Sequence, residues 1–120
     1  MKYLHLDSSF TPYDKSIAFE AFVFNGGEPH IKIKDGDLVG PVTITHRIHS
    51  FNDMGLLLIA TDALRRMGVK EIHAFIPYFP AARQDRVMVS GESLSVKVYA
   101  DIINAQNYSK LTVFDPHSEV

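Results

Sequence analysis

Arg83-Gln84-Asp85-Arg86 stand at the end of the segment IPYFPAARQDR, residues 76–86. Two guanidiniums in one short loop suit phosphate oxygens, because each planar fork can donate two hydrogen bonds at once. Gln84 can bond a base or sugar, and Asp85 can orient an arginine or meet a metal. Tyr78 and Phe79 can wall an apolar or stacking surface. The plainer reading is a solvated loop with an internal Arg–Asp ion pair. A second group is Asp115-Pro116-His117. Asp115 and His117 can coordinate a divalent cation, where carboxylate oxygen suits magnesium better than imidazole does. Taken alone, such a pair is more simply a structural, unligated turn. The third group is Phe24-Asn25-Gly26-Gly27-Glu28. Turn chemistry alone explains the glycine pair, yet the flanking aromatic and carboxylate can grip a purine by stacking and by accepting from an amino group.

Other chemistries lack support. His46 and His49 fail as a metal pair, because on a strand end residues three apart point opposite ways. His5, His30 and His73 have no suitable sequence neighbours. There is no G-x-S-x-G elbow, no G-x-x-x-x-G-K-[ST] phosphate loop and no G-x-G-x-x-G fingerprint. With no cysteine, disulfides, thiolate nucleophiles and Cys-ligated zinc are excluded. Lys and Arg number 12 against 14 Asp and Glu, so bulk charge does not hold this chain to nucleic acid. The first ten residues carry no long apolar run, and residues 56–60 fall far short of a membrane helix. We therefore expect a cytoplasmic chain with no membrane or nucleic-acid partner.

The elements that must position these groups follow from periodicity. Hydrophobic residues make up 46% of the 120 and charged residues 22%, which fits one globular domain. Residues 3–7 read as a strand and 8–15 as a loop. Residues 17–24 and 30–34 read as a hairpin around Asn25-Gly26-Gly27. Strands are expected at 42–46, 71–77 and 110–114. Between them lie helices at 52–67, with Met54, Leu57, Leu58, Thr61 and Leu64 in one stripe, and at 93–105, with Leu94, Val98, Ile102 and Ile103 inward. Ser50 or Asn52 can cap the first helix and Gly68 can end it. Strands alternating with helices imply parallel strands, whose C-terminal ends share the edge where open α/β sheets bind ligands. The loops after 46, 77 and 115 lie there.

Four segments, in order, resemble ribose-phosphate pyrophosphokinase: FNGGE with the following HIKI; SFNDMGLLLIATDALRRMGVKEI; AFIPYFPAARQDR with GESLSVKVYADII; and LTVFDPH. The resemblance runs from Phe22 to His117. It implies an α/β, phosphoribosyltransferase-like domain, with a mainly parallel sheet flanked by helices and an N-terminal β-hairpin, the flag. Residues 1–120 would be the N-terminal half of a two-half protein. That family transfers the β,γ-diphosphate of ATP to ribose 5-phosphate, with magnesium, making the activated ribose used for nucleotides and NAD. By position, Arg83 and Gln84 match residues that contact ATP, with Asp85 and Arg86 in the same loop. His117 matches a histidine of the metal–ATP site. Phe24, Gly26 and Glu28 match the flag that holds adenine, commonly from a neighbouring subunit, which implies a homo-oligomer with a shared nucleotide site.

The departures from the family pattern are local. The usual FPDGE is FNGGE here, so Gly26 lacks a carboxylate that would accept from the adenine amino group. A hydrogen bond of that kind is worth about 0.5–1.5 kcal/mol net, so relaxed base selectivity is expected. IPYFGYARQDR has become IPYFPAARQDR, and DLH has become DPH. The family's catalytic lysine loop and its acidic ribose-phosphate loop would lie past Val120. The 120-residue chain is therefore expected to be inert alone. Gly26 also fits an alternative, a non-catalytic regulatory homologue that keeps the fold. A free-standing module for another nucleotide is a third reading.

Overall fold

Short β-branched runs separated by two helical stripes leave this chain one economical arrangement, strands side by side with helices packed across them. The structure is a computed structural model that describes residues 1–78 and 90–114. In chain order these form β1 (Lys2–His5), β2 (Phe19–Val23), β3 (Pro29–Ile33), β4 (Val42–Thr45), α1 (Phe51–Arg66), β5 (Ile72–Ile76), α2 (Ser95–Asn104) and β6 (Lys110–Val113). One sheet runs β1-β4-β5-β6, with every pair parallel. β2 and β3 form a separate antiparallel hairpin. The expected α/β fold is therefore present, with β1 as an edge strand of the main sheet.

Alternation along each strand sorts its side chains onto two faces. Leu4, Val42, Ile44, Ile72 and Ile76 share a core with Met54, Leu57, Ala60 and Leu64 of α1 and Ile103 of α2. Ile17 and Ile31 bring the hairpin into the same core. On the opposite face, the segment after β1 folds back over the sheet. Phe10 meets Phe75 edge-on at 5.2 Å, and Tyr13 stacks on Tyr3 at 4.2 Å. His5 is buried there. Its Nε2–H donates to the Tyr13 carbonyl at 2.9 Å, so Nδ1 accepts from the Thr45 hydroxyl at 2.5 Å.

Local signals fix α1. Ser50 accepts from Asp53 N at 3.1 Å, which satisfies an orphan donor at the first turn. At the other end Gly68, at φ +94, donates to Arg65 O while Val69 donates to Leu64 O. This is the paired 5→2 and 6→1 closure that favours glycine. The α2 stripe needs correction. Val98 is 46% exposed instead of inward, because the buried face runs through Tyr99, Ile102 and Ile103 and turns Val98 to the rim. Leu94 and Leu58 are only half-buried. The helices also start at Phe51 and Ser95, each displaced by one or two residues from the periodicity estimate.

Candidate functional site

Two regions of the described structure bring candidate side chains together. One is the hairpin tip; the other is the C-terminal edge of the parallel sheet. At the tip, Gly27 N donates to Phe24 O at 2.8 Å and Phe24 N donates to Glu28 O at 2.8 Å. Gly27 takes φ +98, the left-handed conformation that closes a three-residue hairpin loop. Gly26 does not need glycine for its backbone. A Cβ built there would meet Glu28 Oε1 at 2.5 Å, so the Glu28 carboxylate lies over Gly26.

Pairing of Phe22 with His30 puts both rings on the hairpin's outer face, with Phe24 beside them. The three ring centroids are 5.0–5.3 Å apart. Phe22 is 48% exposed and Phe24 49%. Large apolar rings left half in water form a surface able to stack a planar ligand.

The tip is held by α1. Asn52 Nδ2 donates to Gly27 O at 3.1 Å. Gly55 lies so close to the hairpin that an added Cβ would stand 3.3 Å from Pro29 Cγ. These anchors escape sequence reading, because a polar residue in a first turn and a glycine inside a helix give no periodic signal. Glu20 and Lys34 pair at 3.2 Å at the hairpin base, both half-exposed.

At the sheet edge, His46 is buried and His49 exposed. His46 is 3% exposed, and its Nε2–H donates to Asp53 O at 3.0 Å. Burial pushes its imidazole below the usual histidine value. His49 is exposed, and its backbone N–H donates to the Asp53 carboxylate at 2.8 Å. Of the residues singled out from sequence, the structure places Phe24, Gly26 and Glu28 together at the hairpin tip. Arg83, Gln84, Asp85, Arg86 and His117, together with Phe79 and Asp115, lie outside the described residues. Among the described residues, no cluster of three or more His, Asp or Glu side chains could hold a metal, and no helix is long and apolar enough to cross a membrane.

Residues 20–106 match the family model for the N-terminal domain of ribose phosphate pyrophosphokinase. The chain belongs to that family. Ribose-phosphate pyrophosphokinase of Helicobacter hepaticus is 35% identical over 102 residues, covering 80% of this chain and 32% of the relative. The Thermococcus kodakarensis enzyme of the same name is 32% identical over 105 residues, covering 87% of this chain and 37% of the relative. The crystal structure of phosphoribosylpyrophosphate synthetase from Mycobacterium smegmatis aligns with TM-score 0.71 at 27% identity, over 87% of this chain and 36% of that one. The chain thus spans about a third of the length of the curated relatives it matches.

Proposed function

We propose that this chain is the ATP-side domain of a ribose-phosphate diphosphokinase, which moves the β,γ-diphosphate of ATP onto the anomeric hydroxyl of ribose 5-phosphate. The observation that carries the reading is the hairpin tip. A half-exposed Phe24 is paired through its backbone with Glu28, whose carboxylate lies over Gly26, on a turn tied to α1 in a domain of this family. In this account Phe24 stacks the adenine and Glu28 accepts from its amino group. Arg83 and Gln84 hold the phosphates, with Asp85 and Arg86 supporting them. Transfer of a phosphoryl group depends mostly on positioning and charge stabilisation, which suits the paired arginines of this sequence.

His117, with Asp115 beside it in sequence, would hold magnesium, which when bound offsets phosphate charge. The protein would act as a cytoplasmic homo-oligomer, with the hairpin serving a site on a neighbouring subunit. Ribose 5-phosphate would meet the part of the enzyme that the relatives carry beyond this third of their length. On that account the 120-residue chain transfers no diphosphate alone.

Gly26 supports a second reading, a non-catalytic homologue that assembles with active chains, because it lacks the tip carboxylate. Titration of Mg-ATP against the wild-type protein and Phe24→Ala separates the two. The enzyme reading expects binding that weakens about tenfold, the scale of one lost stacking contact. Equal binding by both, or none by either, would favour the second.

A further inference from the structure

Arg47, Ile48, His49, Pro77 and Tyr78 line a cleft of about 320 Å³. These residues follow β4 and β5 directly, so the cleft opens where the C-terminal ends of two adjacent parallel strands part. Open α/β sheets take ligands at that edge. Arg47 is exposed, and its guanidinium carbon stands 5.5 Å from the centre of the Phe10 ring. Stacking on a ring holds a guanidinium in place without using its N–H groups.

Among the described residues Arg47 makes no ion pair or side-chain hydrogen bond, and the exposed His49 ring likewise has no partner. Two carboxylates stand in the surrounding loops, and the charge of one, Asp7, also acts on Arg47 without a direct ion pair. Asp7 accepts from Ser9 N and Oγ at 2.8 and 2.7 Å, and Asp53 accepts from His49 N at 2.8 Å. Ser50 and Asp53 cap the start of α1 from within.

We propose that this cleft is a phosphate subsite, in which Arg47, with His49 beside it, holds the oxygens of a phosphate or diphosphate group. The site adds to the contacts given above to Arg83, Gln84 and the hairpin. An arginine fork left with free donors, beside a second ring donor, matches tetrahedral anions better than it matches carbonyl or cationic ligands. The group can be the phosphate chain of a nucleotide or a free anion.

Calorimetric titration with inorganic phosphate, diphosphate and ATP tests this on the wild-type protein, Arg47→Gln, Arg47→Lys and His49→Gln. Arg47→Gln should weaken diphosphate about tenfold or more, the scale of a charge-assisted pair. Arg47→Lys should keep the fold and part of the affinity. His49→Gln should cost less than Arg47→Gln. If ATP loses the same factor as diphosphate, the nucleotide is the source; if only phosphate and diphosphate weaken, it is a free anion. The proposal fails if no probe binds the wild type, or if all three bind Arg47→Gln and Arg47→Lys as they bind wild type. Loss of ATP in Phe24→Ala with no change in Arg47→Gln would sink this subsite and leave the nucleotide reading standing. Diphosphate binding through Arg47 without any effect of Phe24→Ala would do the reverse.

Discussion

The Glu28 carboxylate occupies the space above Gly26, with Oε1 2.5 Å from where a Cβ at that position would lie. The blocking atom is the end of a flexible side chain, and Gly26 is not among the glycines at positive φ. An aspartate can therefore enter at 26 once Glu28 rotates. Gly26→Asp should fold normally and raise the preference for ATP over GTP by about 2–10-fold, the equivalent of one hydrogen bond of about 0.5–1.5 kcal/mol. Competition binding with the two nucleotides measures it. An unchanged ratio would remove Gly26 from base recognition.

The hairpin's position rests on contacts with α1. Gly55→Leu should force Pro29 away and cost about 1–3 kcal/mol by overpacking. Asn52→Ala should cost about 1 kcal/mol or less, because its bond to Gly27 O is solvent-exposed. Urea unfolding gives both values. Amide exchange across residues 19–33 should rise in both variants while β4 and β5 stay protected. Uniform exchange would mean the hairpin is not held from α1.

Alkaline stability tests the buried link between α1 and the turn before β6. Tyr108 OH donates to Thr61 Oγ1 at 2.7 Å, and Thr61 donates to Leu57 O at 2.8 Å. Burial pushes the Tyr108 phenol up to about 12. From about pH 10 the unfolded chain loses this proton and the folded chain keeps it. Stability should then fall by about 1.4 kcal/mol per pH unit until about pH 12. Below that window the group contributes no pH dependence. Comparison of denaturation midpoints for wild type and Tyr108→Phe isolates the effect. Parallel alkaline profiles would show that the phenol ionises freely in the folded state.

At the acid end, His46 works in the opposite direction. Its folded value is depressed by burial, so its contribution is fully present above about pH 6.5, the unfolded value. It is lost as pH falls from there towards the folded value, since only the unfolded chain takes up the proton. His46→Gln should flatten this acid slope relative to wild type in urea titrations. An unchanged slope between about pH 6.5 and 5 would contradict the assignment.

Much of this fold is legible from short-range pattern. Met54, Leu57, Thr61 and Leu64 declare α1, Ser50 and Gly68 mark its ends, and the Asn-Gly-Gly turn declares the hairpin. What stays hidden depends on contacts distant in sequence. Nothing in KYLH says that β1 pairs with β4, since that register is set some forty residues later. Val98 fits an apolar stripe as well as Tyr99 does, and packing of Tyr99 against the core and Phe51 chooses between them. At the hairpin, Phe24 and Glu28 are readable from the turn that separates them. The roles of Phe22 and His30 need the cross-strand register, and Arg47 needs the junction of two strand ends.

The central claim is that this domain binds the phosphates of ATP through Arg83. Its most direct test is ATP affinity in Arg83→Ala, with Mg-ATP titrated into the variant and into matched wild type. The account predicts a loss of about tenfold or more, with the melting temperature unchanged. Wild-type affinity in the variant would contradict it.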